Sequence, residues 1–367
     1  MQQELVITGT GVLSPYGMGV EAFSEGYCAR RSPMVEASAL PAHYYPPRLA
    51  AAVPDYDAKR YLNARGIRGL DKLTIHVSVA LDFLHDEVGF GDVEERRRHY
   101  PDERVAIVLG TTGPIQSILN FDLETVRDPQ FVQPGLFPNT VFPLPASYAA
   151  IRRSIKASCV TLTNGETSSL DTFGVGAMQV AEGRADFVIV GGAEELTPAQ
   201  ALAVGALHRE RGSGCPVLAE GAALFGLESA QAASRRGAQA LASVLAVHSV
   251  YCPERTAAVA ECWSRIQRMT PAGDVEGISD VFLNREFDIA PFGLDAVRVV
   301  NPAHTFGYLG ALNGAIGVLS AIVDPEVAAG ACVLVINLSE EGNCTMLLMK
   351  KLVADPIRGR QDRSNVC

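Results

Sequence analysis

The chain has 367 residues, 48% hydrophobic and 20% charged, which supplies one large or two fused cores and excludes a disordered chain. Its net charge of −10, without a basic run or a basic-and-aromatic stripe, argues against a phosphate-backbone binder. No uninterrupted apolar stretch reaches the roughly 20 residues of a membrane span, and MQQELVITGTGVL lacks the basic start and cleavable core of an export signal, so a cytoplasmic protein without nucleic-acid or membrane partners is expected.

In chain order, short runs rich in Val, Ile and Leu predict buried strands at 5–9, 105–110, 159–163, 187–191, 222–227, 241–247, 297–300 and 332–338. Between them, 68–87 carries Leu70, Leu73, Ile75, Val77, Val79, Leu81 and Leu84 at spacings compatible with a helix. Residues 168–182 and 305–322 predict helices rich in small residues, able to pack at short range. Strands alternating with helices imply α/β layers.

Two segments look like distant copies: CVTLTNGETSSLDTFGVGAMQVAEGRADFVIVGGAEE, and VRVVNPAHTFGYLGALNGAIGVLSAIV followed by CVLVINLSEEGNCTMLLMKK. Each runs strand, loop, small-residue helix, loop, strand, which suggests a duplication with halves 1–236 and 237–367. Residues 116–148 fit neither half. They read as a loop-rich insertion carrying Pro129, Pro134, Pro138, Pro143 and Pro145 with Phe121, Phe131, Phe137 and Phe142, and such insertions serve binding or interfaces more often than filling. The alternative is a lid packed on its own core.

The eight cysteines, Cys28, Cys159, Cys215, Cys252, Cys262, Cys332, Cys344 and Cys367, form no C-x-x-C and read as reduced thiols, mostly buried. The seven histidines are equally scattered, so neither a metal nor an organic cofactor is implied.

Five blocks in order then carry a resemblance: VITGTGVLSPYG, RVAIVLGTTG, GRADFVIVGGAEE, AEGAALFGLES and FGYLGALNGAIG. Together they resemble the β-ketoacyl synthases of the thiolase fold. The resemblance implies an α/β protein of two duplicated halves in α-β-α-β-α layers, with residues 111–148 as an interface and tunnel insertion in the first half.

An active ketosynthase needs a thiol to accept an acyl chain and imidazoles to stabilise the enolate formed on decarboxylation. A thiol at a helix N-terminus is activated as thiolate. Counted back from residues 183–186, the family's T-A-C-x-S-G pattern falls on Asn164-Gly165-Glu166-Thr167-Ser168-Ser169, which puts Glu166 at the nucleophile position. Tyr308 stands at one catalytic His position and Ala303 at the Lys position five residues earlier. SVYCPER, residues 249–255, holds no His, and His248 reads as the end of its strand. The glycine-rich C-terminal loop becomes Asn337-Leu338-Ser339-Glu340-Glu341-Gly342-Asn343.

A carboxylate cannot replace the thiol, because its acyl adduct would be a labile anhydride and its charge would repel malonyl. Thr167 and Ser168 show no activating base at the matching positions, Cys159 reads as packing, and His304 is displaced. Glu166 is left as a helix cap, as a tunnel-base or interface group, or as a residual acid or base. Tyr308 either packs into the vacated space or hydrogen-bonds to Glu166.

A ketosynthase-like chain with its catalytic groups replaced resembles the chain-length factors of type II polyketide synthases. Its shortness and its compressed 209–220 loop point toward the polyene-forming subclass. The resemblance implies a non-catalytic subunit that pairs with an active ketosynthase, meets the carrier-protein-bound chain through that complex and limits its length. The implied tunnel and interface residues are Ile115, Ile118, Leu119, Phe121, Val141, Phe142 and Leu144, with Cys159, Thr161 and Thr163 on the dimer strand. The alternative is a stand-alone thioester decarboxylase or hydrolase using Glu166.

Overall fold

The computed structural model describes residues 4–38, 40, 45, 47–62, 69–130, 132–294 and 296–357. Phe131, Cys367, the start of the 68–87 stretch and the opening three residues lie outside them.

The first half runs β1 (Leu5–Ser14), α1 (Gly19–Cys28), α2 (Lys72–Glu87), β2 (Val105–Gly110), α3 (Ile115–Arg127), α4 (Leu144–Arg152), β3 (Cys159–Leu162), α5 (Ser168–Ala181), β4 (Phe187–Glu194), α6 (Pro198–Glu210) and β5 (Gly221–Ser229). The second runs β6 (Ala242–Tyr251), α7 (Arg255–Met269), β7 (Ile278–Leu283), β8 (Arg298–Val300), α8 (Asn313–Val323), β9 (Cys332–Leu338) and β10 (Asn343–Lys351). The sheet order is β8-β7-β9-β10-β6-β1-β5-β4-β2-β3, with Gly17–Met18 paired to the end of β1. This order has the same form from either end. Each half puts three parallel strands outside and two antiparallel strands inside, and the halves join where β1 meets β6. The two look-alike segments are β3-α5-β4 and β8-α8-β9, and they occupy matching places.

The two strands at this junction explain the layering. Every residue of β1 is buried, so both its faces must be covered. On one face α2 comes so close that a Cβ on Gly11 would lie 2.0 Å from the Ala80 carbonyl, and only glycine fits. The other face meets the middle layer. There α8 is buried at every position, as a helix apolar all round must be. Helix α5 packs beside it and touches strands of both halves, while α7 closes the far side against β6 and β10.

Several expectations need correction. The stretch 305–322 is not one helix. A short helix, Ala303–Phe306, stops at Gly307, whose φ of +82° no ordinary residue adopts easily, and α8 begins six residues later. The insertion is not mainly loop, because it holds α3, the 3-10 turn Pro134–Thr140 and the start of α4. His248 lies within β6 rather than at its end, opposite Met346 of β10. Strand β7 and helix α7 were not anticipated.

Candidate functional site

The chain leaves edge strand β3, turns through Gly165 with φ of +62°, makes one 3-10 turn (Gly165–Thr167) and enters α5. Nothing lies within 4 Å of a Cβ built on Gly165, so the glycine serves the turn rather than the packing. Glu166 follows and is 8% exposed. Both its carboxylate oxygens lie 2.6 Å from Nη2 of Arg285, and Oε2 accepts from Asn284 Nδ2 at 2.9 Å. Asn284 is itself held by Leu338, donating to its carbonyl at 2.9 Å and accepting from its N–H at 2.8 Å. The Glu166 carbonyl accepts from Asn337 at 3.0 Å. The elbow of one half is thereby tied to the ends of β7 and β9 in the other.

This geometry corrects the cap reading of Glu166. Its carboxylate bonds the Arg285 and Asn284 side chains, and α5 starts without a side-chain cap. Burial pushes the Glu166 carboxyl above its usual range, and Arg285 pulls it back. Below the elbow, buried Asp171 accepts from Asn164, Thr167, Ser249 and Thr345. Thr167 therefore does have a carboxylate at 3.0 Å, contrary to expectation. That carboxylate is shared among four donors and Thr167 is fully buried, so its hydroxyl meets no substrate. Ser168 is buried as well and donates to Gly165.

Tyr308 is placed by its backbone, which donates to Val217 at 2.7 Å and accepts from Ala219 at 2.9 Å. A Cβ on Gly307 would lie 2.3 Å from the Val217 carbonyl, so glycine lets this strand-like contact form. The ring meets His208 edge-on at 6.1 Å, and no hydrogen bond joins its hydroxyl to Glu166. Burial, with Glu166, Glu194 and Glu341 nearby, holds the phenol neutral at any ordinary pH.

A cavity of about 340 Å³ lies here, lined by Glu166, Arg285, His208, Tyr308, Ala303 and Asn313 among others. A second, of about 320 Å³, shares Glu166, His208 and Tyr308 and adds Thr163, Arg211 and Glu341. No cysteine lines either. Ala303 brings no amine, and His304 points to Glu286 at 2.9 Å on the surface. Among the described residues no group of His, Cys, Asp and Glu could hold a metal.

The sequence pointed to neither Arg285, Asn284 nor His208. The available signal was LNRE, a polar pair directly after an apolar run, but that run had not been recognised as a strand.

The tunnel and interface candidates form one continuous run. Helix α3, bearing Ile115, Ile118, Leu119 and Phe121, packs on the 134–140 turn; that turn packs on α4, and α4 on β3. No residue of α3 is buried. Phe121 meets Phe137 edge-on at 5.8 Å, and Phe142 rests on Gly113 while 41% exposed. Val141 and Leu144 are half-buried beside it. Cys159 and Thr161 lie on β3, which pairs only with β2 among the described strands, and Thr163 continues from its end into the second cavity.

No family model matches the chain. The solved ishigamide ketosynthase/chain length factor superposes with a TM-score of 0.79 at 26% identity, covering 95% of this chain and 100% of that one. The chain has the thiolase fold of the β-ketoacyl synthases. It is 25% identical over 260 residues to 3-oxoacyl-[acyl-carrier-protein] synthase 2 of Coxiella burnetii. It is 28% identical over 276 residues to the granaticin polyketide putative beta-ketoacyl synthase 1 of Streptomyces violaceoruber. Each match takes in 66% of this chain and spans 62% of the relative's length. The ketosynthase-like character read from the five motif blocks thus holds in three dimensions. No helix among the described residues is long and apolar enough to cross a membrane.

Proposed function

We propose that this chain is a chain-length factor of a type II polyketide synthase. It carries out no condensation itself, pairs with a catalytic ketosynthase and completes the tunnel in which the carrier-bound chain grows. The elbow carries this reading. Where a ketosynthase presents a nucleophile to an acyl chain, this chain presents a buried carboxylate bound through both oxygens to Arg285. Such a group does not hold an acyl chain stably, and Arg285 and Asn284 already occupy three of its lone-pair sites. The same contacts weigh against a stand-alone decarboxylase or hydrolase built on Glu166.

The exposed faces support the pairing. Strand β3 leaves a sheet edge open among the described strands; Ile151, on the helix that packs on β3, is 80% exposed, and Val126 on α3 is 83% exposed. Free edges and apolar patches of this kind favour a partner or aggregation. Native mass spectrometry of the chain alone and with the ketosynthase encoded beside it tests the reading. A one-to-one heterodimer that Ile151→Glu abolishes is expected. A well-behaved homodimer that ignores the ketosynthase, or thioester turnover by the chain alone that Glu166→Gln removes, would favour the enzyme.

A further inference from the structure

Helix α4 buries its small residues and exposes a large one. Inside lie Pro145, Ala146, Ala149 and Ala150, whereas Leu144 is half-buried and Ile151 is 80% exposed. An ordinary amphipathic helix does the reverse. Alanines bury little area and offer no bulky ridge, so packing on α2 sets the rotation of α4 only weakly.

A polar grip sets it instead. Arg152 and Arg153 both turn to Asp82 of α2, which is 7% exposed. Arg152 donates to it through both Nη atoms, one of them at 2.7 Å, and Arg153 through Nε at 3.0 Å and Nη2 at 2.5 Å. Both arginine side chains are mostly buried and also donate to carbonyls, Arg152 to Tyr61 at 3.1 Å and Ser78 at 3.3 Å, Arg153 to Gly91 at 2.9 Å. Successive helix residues point about 100° apart, so a pair aimed at one carboxylate turns the residue before it outward. That residue is Ile151. The turn that follows is fixed as well, because fully buried Arg96 donates to the carbonyls of Ser154 at 3.3 Å and Arg153 at 3.5 Å, and β3 begins five residues on.

We propose that Asp82 is a positioning residue of the partner face: by gripping Arg152 and Arg153 together it holds α4 rolled so that Ile151 faces outward on the helix that packs on β3. Its part in pairing rests on the function proposed above, whereas the grip is a property of this chain. Without the carboxylate, two mostly buried guanidinium groups would share one site with no counter-charge between them, and the end of α4 would come loose.

Two readouts separate the grip from the pairing. In the chain alone, Asp82→Asn should raise amide hydrogen exchange over residues 144–153 about tenfold while the peptides of α8 and β9 keep their protection, as for a local opening. With the ketosynthase encoded beside this chain, Asp82→Asn should weaken pairing about tenfold. In an Ile151→Ala background it should add little further loss, since both changes act through one side chain. If Asp82→Asn does not fold, Arg153→Gln, which loosens half of the grip, replaces it in both arms. Unchanged exchange over 144–153, or exchange that rises equally throughout the fold, would overturn the grip. A loss of pairing of the same size with and without Ile151 would overturn the positioning role. A chain that pairs with no ketosynthase fails the function proposed above, and the exchange arm, which needs no partner, still decides the grip.

Discussion

At the scale of single residues, the elbow is built around a paired charge. A reactive thiol needs an open approach, whereas Glu166 needs a cation, and Arg285 supplies it from 119 residues away. Arg285→Ala should leave a buried carboxylate unpaired and destabilise the fold by about 3 kcal/mol in chemical denaturation. Adding Glu166→Gln should recover most of that loss, since the orphaned charge goes with it. If the double variant is no better than the single one, the pair contributes through packing instead.

Two other carboxylates set a pH dependence. Burial pushes Glu194 and Glu195 up to about 7. Their protonated forms are favoured in the folded state, so the stability they contribute is complete below the usual carboxylate range and is lost as pH rises through 7. The melting temperature should therefore fall between pH 5 and pH 8. Glu194→Gln keeps a neutral group beside its donors Thr112 and Ala311 and should flatten that slope.

At the scale of elements, what the sequence showed depended on how uniformly each element is buried. Strands β2 and β9 have the expected bounds, because each is an apolar run buried on both faces. Strand β7 is buried almost as fully but reads ISDVFL, and its Asp280 is stabilised by Arg298, which no local pattern announces. Helix α7 was missed because only a stripe of Ala258, Val259, Cys262, Trp263 and Ile266 faces the core. Since Arg285 follows β7, missing that strand also hid the partner of Glu166. Glu166 drew notice because it falls in a motif with fixed spacing; its ion pair was not legible, because that depends on distant segments meeting.

The insertion tests the proposed tunnel directly. Phe121 and Phe142 keep much of their ring surface free of core contacts, so they can be trimmed without opening the interior. In the reconstituted complex, Phe121→Ala or Phe142→Ala should lengthen products by about one or two extension units by mass spectrometry, since a wall recedes by the volume removed. Unchanged products from an intact complex would remove that residue from the tunnel.

At the scale of the whole molecule, β1 lies at the centre of the sheet order although it comes first in the chain. Its neighbours are β5, paired from Leu5 with Ser229, and β6, paired from Leu5 with Val244. A ribosome adding roughly 5–20 residues per second needs on the order of ten seconds or more after making β1 before either neighbour exists. Throughout that interval this ten-residue strand lacks both its long sheet neighbours and pairs only with Gly17–Met18 at its end. Strand β1 is thus made well before the strands that flank it and is among the last to find its place. Slow translation would lengthen the wait, and holdase chaperones acting on the nascent chain should raise the yield of folded protein.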